Sequence, residues 1–192
     1  MTQSHAPQAP LSPGRLRLVI LAMALGAFAI GTTEFASMGL LPQIARDLEV
    51  STPQAGMLIT LYALGVVIGA PLVTIAAVRM PRAKLLVLLI ALIGLGNLLS
   101  AMAPTFSVLA AARFVAGLPH GAFFGVASLV AARLSPPGRR ARSVSLVMLG
   151  LTIATMLGVP ASTAFGQVVG WRSAYVIVVD RKSTRLNSSH PK

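Results

Sequence analysis

Four acidic residues stand among 192 positions, and one of them, Glu34, lies inside an apolar run. Two basic side chains share that situation: Arg113 and His120 sit within the apolar stretch from Ser107 to Ala132. A carboxylate can take up or release a proton, a guanidinium supplies a fixed positive charge, and an imidazole changes charge near physiological pH. An arginine in hydrocarbon costs between about 2.5 and about 17 kcal/mol, so it is normally aimed at a partner or a water-filled path. This set of groups suits proton movement better than bond cleavage. No H-E-x-x-H, G-x-S-x-G, phosphate loop or pair of intramembrane carboxylates is present, which excludes the common enzyme classes.

The elements that must position these groups are membrane helices. Hydrophobic residues make up 55% of the chain and charged ones 10%, against roughly 25% charged in a soluble domain. Apolar runs at 18–41, 55–78, 84–103, 107–132 and 143–166 each approach the roughly 20 residues that a spanning helix needs. A sixth run, 171–179, rises only about 13 Å and is too short to span. Residues 1–16, with Pro7, Pro10 and Pro13, read as a disordered leader. Arg15, Arg17 and Ala27-Phe-Ala29 imitate a signal peptide, but the run continues to Leu41, so an uncleaved helix is expected. The net charge of +12 does not point to nucleic acid, because no aromatic–basic interleaving accompanies it. With no cysteine, disulfides and thiolate metal sites are excluded, and no cofactor is implied.

Charge placement orients the bundle. Alternate loops carry Arg15, Arg17, Arg79, Arg82, Lys84, Arg133, Arg139, Arg140 and Arg142, while the opposite side carries Arg46 and Arg172. The positive-inside rule therefore predicts a cytoplasmic N-terminus. In that frame Glu34 lies about 12 Å below the outer end of its run, Arg113 about 9 Å, and Tyr62 and Asn97 about 10 Å, at 1.5 Å per residue. Four polar side chains share one level, and Glu34 and Arg113 are expected to share a polar cavity there. His120 lies two turns below Arg113 and could relay a proton or simply pack. Gly117, Gly121 and Gly125 form a small-residue ridge that favours close helix contact.

Run starts at 18, 55 and 84 recur at 107, 143 and 171, and Gly69-Ala70-Pro71 recurs 89 residues later as Gly158-Val159-Pro160. An odd number of spans between the copies inverts one triplet relative to the other. The expected fold is all-α: a polytopic six-helix bundle of two inverted three-helix repeats, an architecture of transporters. Asp180 to Lys192 breaks the last run with charge and polar residues, and reads as a non-native tail joined to a truncated sixth helix.

Several stretches resemble the N-terminal half of a major facilitator superfamily transporter, across roughly residues 17–179. They are Thr32-Thr-Glu34-Phe-Ala-Ser-Met-Gly-Leu-Leu-Pro42, Leu61-Tyr62-Ala-Leu-Gly65, the Arg113-Phe-Val-Ala-Gly117 motif, Gly150 with Gly158-Val-Pro160, and Gly170-Trp171-Arg172. The resemblance is to the proton-coupled efflux group that includes arabinose-efflux and multidrug antiporters. It implies a multi-pass protein of the bacterial inner membrane and a small-molecule substrate exchanged for protons. It also implies a partner half, here absent or replaced by a second copy. By the same resemblance Arg113 belongs to the proton-coupling motif, Gly150, Gly158 and Pro160 to the antiporter hinge, and Arg79 and Arg82 to a cytoplasmic loop motif. That loop departs from the family pattern: Val78 stands where an aspartate is usual and Pro81 where a glycine is. The alternative is a self-contained small membrane protein that homodimerises or serves as a non-transporting partner.

Overall fold

The computed structural model describes residues 12–76 and 80–176. The described residues form α1 (Pro13–Gly39), α2 (Leu41–Asp47), α3 (Thr52–Ala76), α4 (Arg82–Met102), α5 (Phe106–Leu134), α6 (Arg140–Ile153), α7 (Val159–Val169) and α8 (Trp171–Val176). Five segments are long and apolar enough to cross a membrane: α1, α3, α4, α5, and the continuous rod that α6 and α7 build together. Residues 1–11, 77–79 and 177–192 lie outside the described part, and with them Val78, Arg79 and the tail from Asp180.

Caps and prolines explain where the helices depart from the apolar runs. α1 begins at Pro13, inside the stretch whose composition predicts a leader, because Ser12 accepts a hydrogen bond from the Arg15 amide and Pro13 fits a first helical turn. The same run breaks at Leu40 rather than continuing to Leu41. Pro42 then opens the short helix α2, which the run pattern does not show. Thr105 caps α5 through the Val108 amide. Gly170 ends α7 with φ of 108°, a conformation that favours glycine, and lets the chain turn into α8.

The rod of α6 and α7 is joined by a π-helical turn, Ala154–Gly158. Pro160 has no N–H to offer the carbonyl four residues back, and a widened turn just before it absorbs the mismatch. A 143–166 helix expected from the run is therefore longer, 140–169, and irregular in the middle.

Packing follows the small residues. α3 lies along α5 more extensively than any other pair of helices. A methyl group on Gly65 would strike the Phe114 carbonyl, and one on Gly69 would strike Leu118. Gly117 and Gly121 face α3 as the ridge predicts, whereas nothing lies near Gly125. Both glycines of the repeated Gly-x-Pro pattern mark close approaches, Gly69 to α5 and Gly158 to Thr32 of α1.

Buried apolar residues fall into two layers. One holds Ile20, Met23, Ile30, Leu85, Leu89, Ile93, Phe123 and Val126. The other holds Leu40, Ile44, Leu58, Leu109, Trp171 and Tyr175. Chain order shows what lies between them. On α1 it is Thr32 to Ser37, on α4 Asn97 and Ser100, on α5 Arg113 to His120, and all of Thr32, Thr33, Ser37, Asn97, Ser100, Arg113 and His120 are buried. The bundle is apolar, polar, apolar along its axis.

Candidate functional site

The middle layer is built from four helices. α1 supplies Thr33 and Glu34, α3 Tyr62, α4 Asn97, and α5 both Arg113 and His120, placed two turns apart on one face. The seam of glycines between α3 and α5 brings the Tyr62 backbone against Gly117, so Tyr62 is set beside the very helix that carries Arg113 and His120.

The contacts form a continuous line. Glu34 Oε2 lies 3.7 Å from His120 Nε2. His120 Nδ1 lies 2.7 Å from the Tyr62 hydroxyl, and the two rings meet at 86°. The Tyr62 ring faces the Arg113 guanidinium, whose central carbon is 4.3 Å from the ring centroid. Arg113 Nη1 donates to Asn97 Oδ1 at 3.3 Å, and Asn97 Nδ2 donates to Thr33 Oγ1 at 3.3 Å. Thr33 in turn donates back to the α1 carbonyls of Ala29 and Ile30.

Glu34, Tyr62, Asn97, Arg113 and His120, the side chains singled out by type and depth, thus come together. Within the layer the partnerships are specific. The acid that Glu34 presents meets His120, and no carboxylate is within ion-pair distance of Arg113 among the described residues. The reason is angular. Consecutive residues on a helix point about 100° apart, so Thr33 turns toward Asn97 and Arg113 while Glu34 turns toward His120.

Arg113 is 2% exposed, and a buried charge without compensation is expensive. Two aromatic faces and one amide oxygen compensate it. Besides Tyr62, the ring of Tyr175 on α8 lies 5.2 Å from the guanidinium carbon. Each such cation–π contact contributes roughly 0.5 to 2 kcal/mol, more as water is excluded. Tyr175 and Thr33 are not among the candidate site residues drawn from the sequence, although Thr33 lies within the Thr32-Thr-Glu34 stretch. Thr33 adjoins Glu34 and could have been marked by that neighbour; Tyr175 lies in a run too short to be assigned a depth.

A second polar group closes the α2–α8 end. Trp171 Nε1 donates to Asp47 Oδ2 at 2.8 Å, Arg172 Nη1 lies 3.9 Å from the same oxygen, and Arg172 Nη2 donates to the Ala103 carbonyl at 3.1 Å. The Arg172 guanidinium also covers the Trp171 ring at 4.2 Å. The other sequence-marked residues lie apart from the polar line. Gly150 packs against the Ala24 backbone and Gly158 against Thr32, both at the α1 interface, while Pro160 is exposed. Arg82 is the first residue of α4, and Arg79 is outside the described residues. No group of three or more His, Asp or Glu able to hold a metal ion occurs among the described residues.

Comparison with known proteins places the chain. The chain is 48% identical over 162 residues to the inner membrane transport protein YdhP of Escherichia coli (strain K12), covering 84% of this chain and 42% of that protein. It is 44% identical over 160 residues to YtbD of Bacillus subtilis (strain 168), an uncharacterized MFS-type transporter, covering 83% and 40%. The chain therefore spans about two-fifths of the length of these relatives. Among solved structures, a bacterial homolog of the human lysosomal transporter Spinster, inward-facing and unoccupied, superposes with a TM-score of 0.77 at 18% identity, over 88% of this chain and 41% of that one. This likeness concerns the fold. Residues 23–179 match the sequence profile of the Major Facilitator Superfamily, and with an all-helical bundle of five spans around a buried polar layer, the chain belongs to that family.

Proposed function

We propose that this chain forms one half of a bacterial inner-membrane transporter that exports a small organic solute in exchange for protons. The observation that carries the reading is the line Glu34–His120–Tyr62–Arg113, held in a polar layer between two apolar ones. The excess of arginine and lysine on alternate loops supports a cytoplasmic N-terminus, with the α2–α8 end outward.

With Glu34 ionised, its carboxylate faces His120 Nε2, and the Tyr62 hydroxyl engages the other ring nitrogen. A proton arriving at Glu34 cancels that charge and weakens the hold on His120. The imidazole is then free to break from Tyr62, and the ring that faces Arg113 gains freedom to move. A ligand can shift an equilibrium only as far as it binds two states differently. Here the proton is that ligand, and the two arrangements of the line are the states. Alternating access would rock this bundle against a second one, with the π turn before Pro160 as the flexible point of the α6–α7 rod. Met156, Leu157 and Val168 expose their side chains on that rod, which suits contact with lipid or with the second half. A lone intramembrane acid makes a cationic solute acceptable.

The test is flux in proteoliposomes carrying the intact transporter under an imposed pH gradient. Glu34→Gln is expected to transport with a flattened pH dependence; an unchanged pH profile removes Glu34 from the mechanism. The 192-residue chain alone is expected to show no proton-driven flux, and robust flux from it would overturn the reading as a half.

A further inference from the structure

Tyr175 touches both polar groups of the molecule. Its ring is 5.2 Å from the Arg113 guanidinium carbon, which the Tyr62 ring also meets at 4.3 Å. The same ring meets Trp171 edge-on, 6.0 Å between centroids at 89°. Trp171 is held in turn by Asp47 of α2, over which Arg172 also reaches. Tyr175 is 2% exposed, and its hydroxyl has no hydrogen-bond partner among the described residues. The contacts that Tyr175 makes among the described residues are those of its ring.

We propose that Tyr175 is a positioning residue for Arg113: its ring adds a second aromatic contact to that of Tyr62 and ties the place of the guanidinium to the Asp47–Trp171 clamp. The inference rests on the reading of Arg113 as part of the coupling line. Geometry supports it from each side. Among the described residues the guanidinium makes one hydrogen bond, from Nη1 to Asn97, so the two rings supply much of what holds it in place. α8 is six described residues long and begins at the clamp, so a shift of Trp171 moves Tyr175 one turn later with it. The charged and titratable groups around this path are Glu34 on α1, Asp47 on α2, Tyr62 on α3, His120 on α5 and Arg172 on α8.

Trp171 is the only tryptophan in 192 residues, so its emission reports the clamp without labelling. In the full chain reconstituted in lipid nanodiscs, Arg113→Lys keeps the charge and loses the planar group that the rings face. It is expected to shift Trp171 emission. The shift is expected to survive in a Tyr175→Phe background and to vanish in Tyr175→Leu. An Arg113→Lys change that leaves emission untouched, or a shift that persists undiminished with Tyr175→Leu, overturns the proposal. Should Tyr175→Leu fail to fold, Tyr175→Met carries the same expectation. In the intact transporter, Tyr175→Leu is expected to displace the pH profile of flux and Tyr175→Phe to restore it. Because the emission readout needs no transport, a Glu34→Gln transporter with an unchanged pH profile would sink the proton-coupling reading and leave the Tyr175–Arg113 contact standing.

Discussion

The Tyr62 hydroxyl lies 2.7 Å from Nδ1 of His120, across the most extensive helix seam among the described residues. This bond joins a group that faces an acid to a ring that faces an arginine. It is the step on which the line between Glu34 and Arg113 depends, since those two charges do not pair directly.

Removing that step gives the first prediction. Tyr62→Phe keeps the ring against Arg113 and strands a buried imidazole nitrogen, which should cost about 1–3 kcal/mol of stability. Thermal unfolding in detergent checks the cost. Flux in the intact transporter should fall while the affinity for solute changes less, because the ring faces and backbone remain.

Arg113 itself should separate function from stability. Breaking a buried ion pair costs about 3–5 kcal/mol because a charge is left unmatched, but no carboxylate pairs with Arg113 among the described residues. Arg113→Met should therefore fold within about 1–2 kcal/mol of the parent, a size typical of tolerated core swaps. Transport by the intact protein should be lost. A variant that neither folds nor inserts would contradict the prediction, and helix content by circular dichroism decides.

Two glycines should respond oppositely to the same change. An added methyl at Gly96 would sit 2.6 Å from Ala116 Cβ and 2.7 Å from its Cα, so Gly96→Ala should cost roughly 1–3 kcal/mol as α4 and α5 are forced apart. Nothing lies within 4 Å of the corresponding position on Gly125. Gly125→Ala should be neutral or stabilise by up to about 1 kcal/mol through helix propensity. Equal effects would show that the α4–α5 spacing is not as tight as drawn.

Pro160→Ala restores an N–H that can bond within the rod. The π turn at Ala154–Gly158 should then tighten toward an ordinary α-helix. Amide exchange through that turn should slow, and transport should slow with it if the turn is the moving part. Faster or unchanged exchange would argue against proline as the cause of the wide turn.

The fold was legible because apolar runs of spanning length are the strongest signal a membrane chain carries. Depth counting along those runs was enough to gather Glu34, Tyr62, Asn97 and Arg113 into one layer. It could not say which of them touch, because depth fixes a level and not a direction around the helix. Hence Glu34 meets His120 while its neighbour Thr33 meets Asn97. α2 escaped notice since Leu40 and Leu41 look like the end of a span rather than a break before Pro42. Tyr175 escaped because its role comes from α8 folding back on α4 and α7, which no local pattern encodes.

The alternation of layers has one more consequence. Buried apolar side chains lie on either side of the Glu34 layer, which insulates it along the bundle axis among the described residues. The Glu34 side chain keeps 21% of its surface open. In the proposed exchange, protons reach Glu34 through that opening and not through the apolar layers.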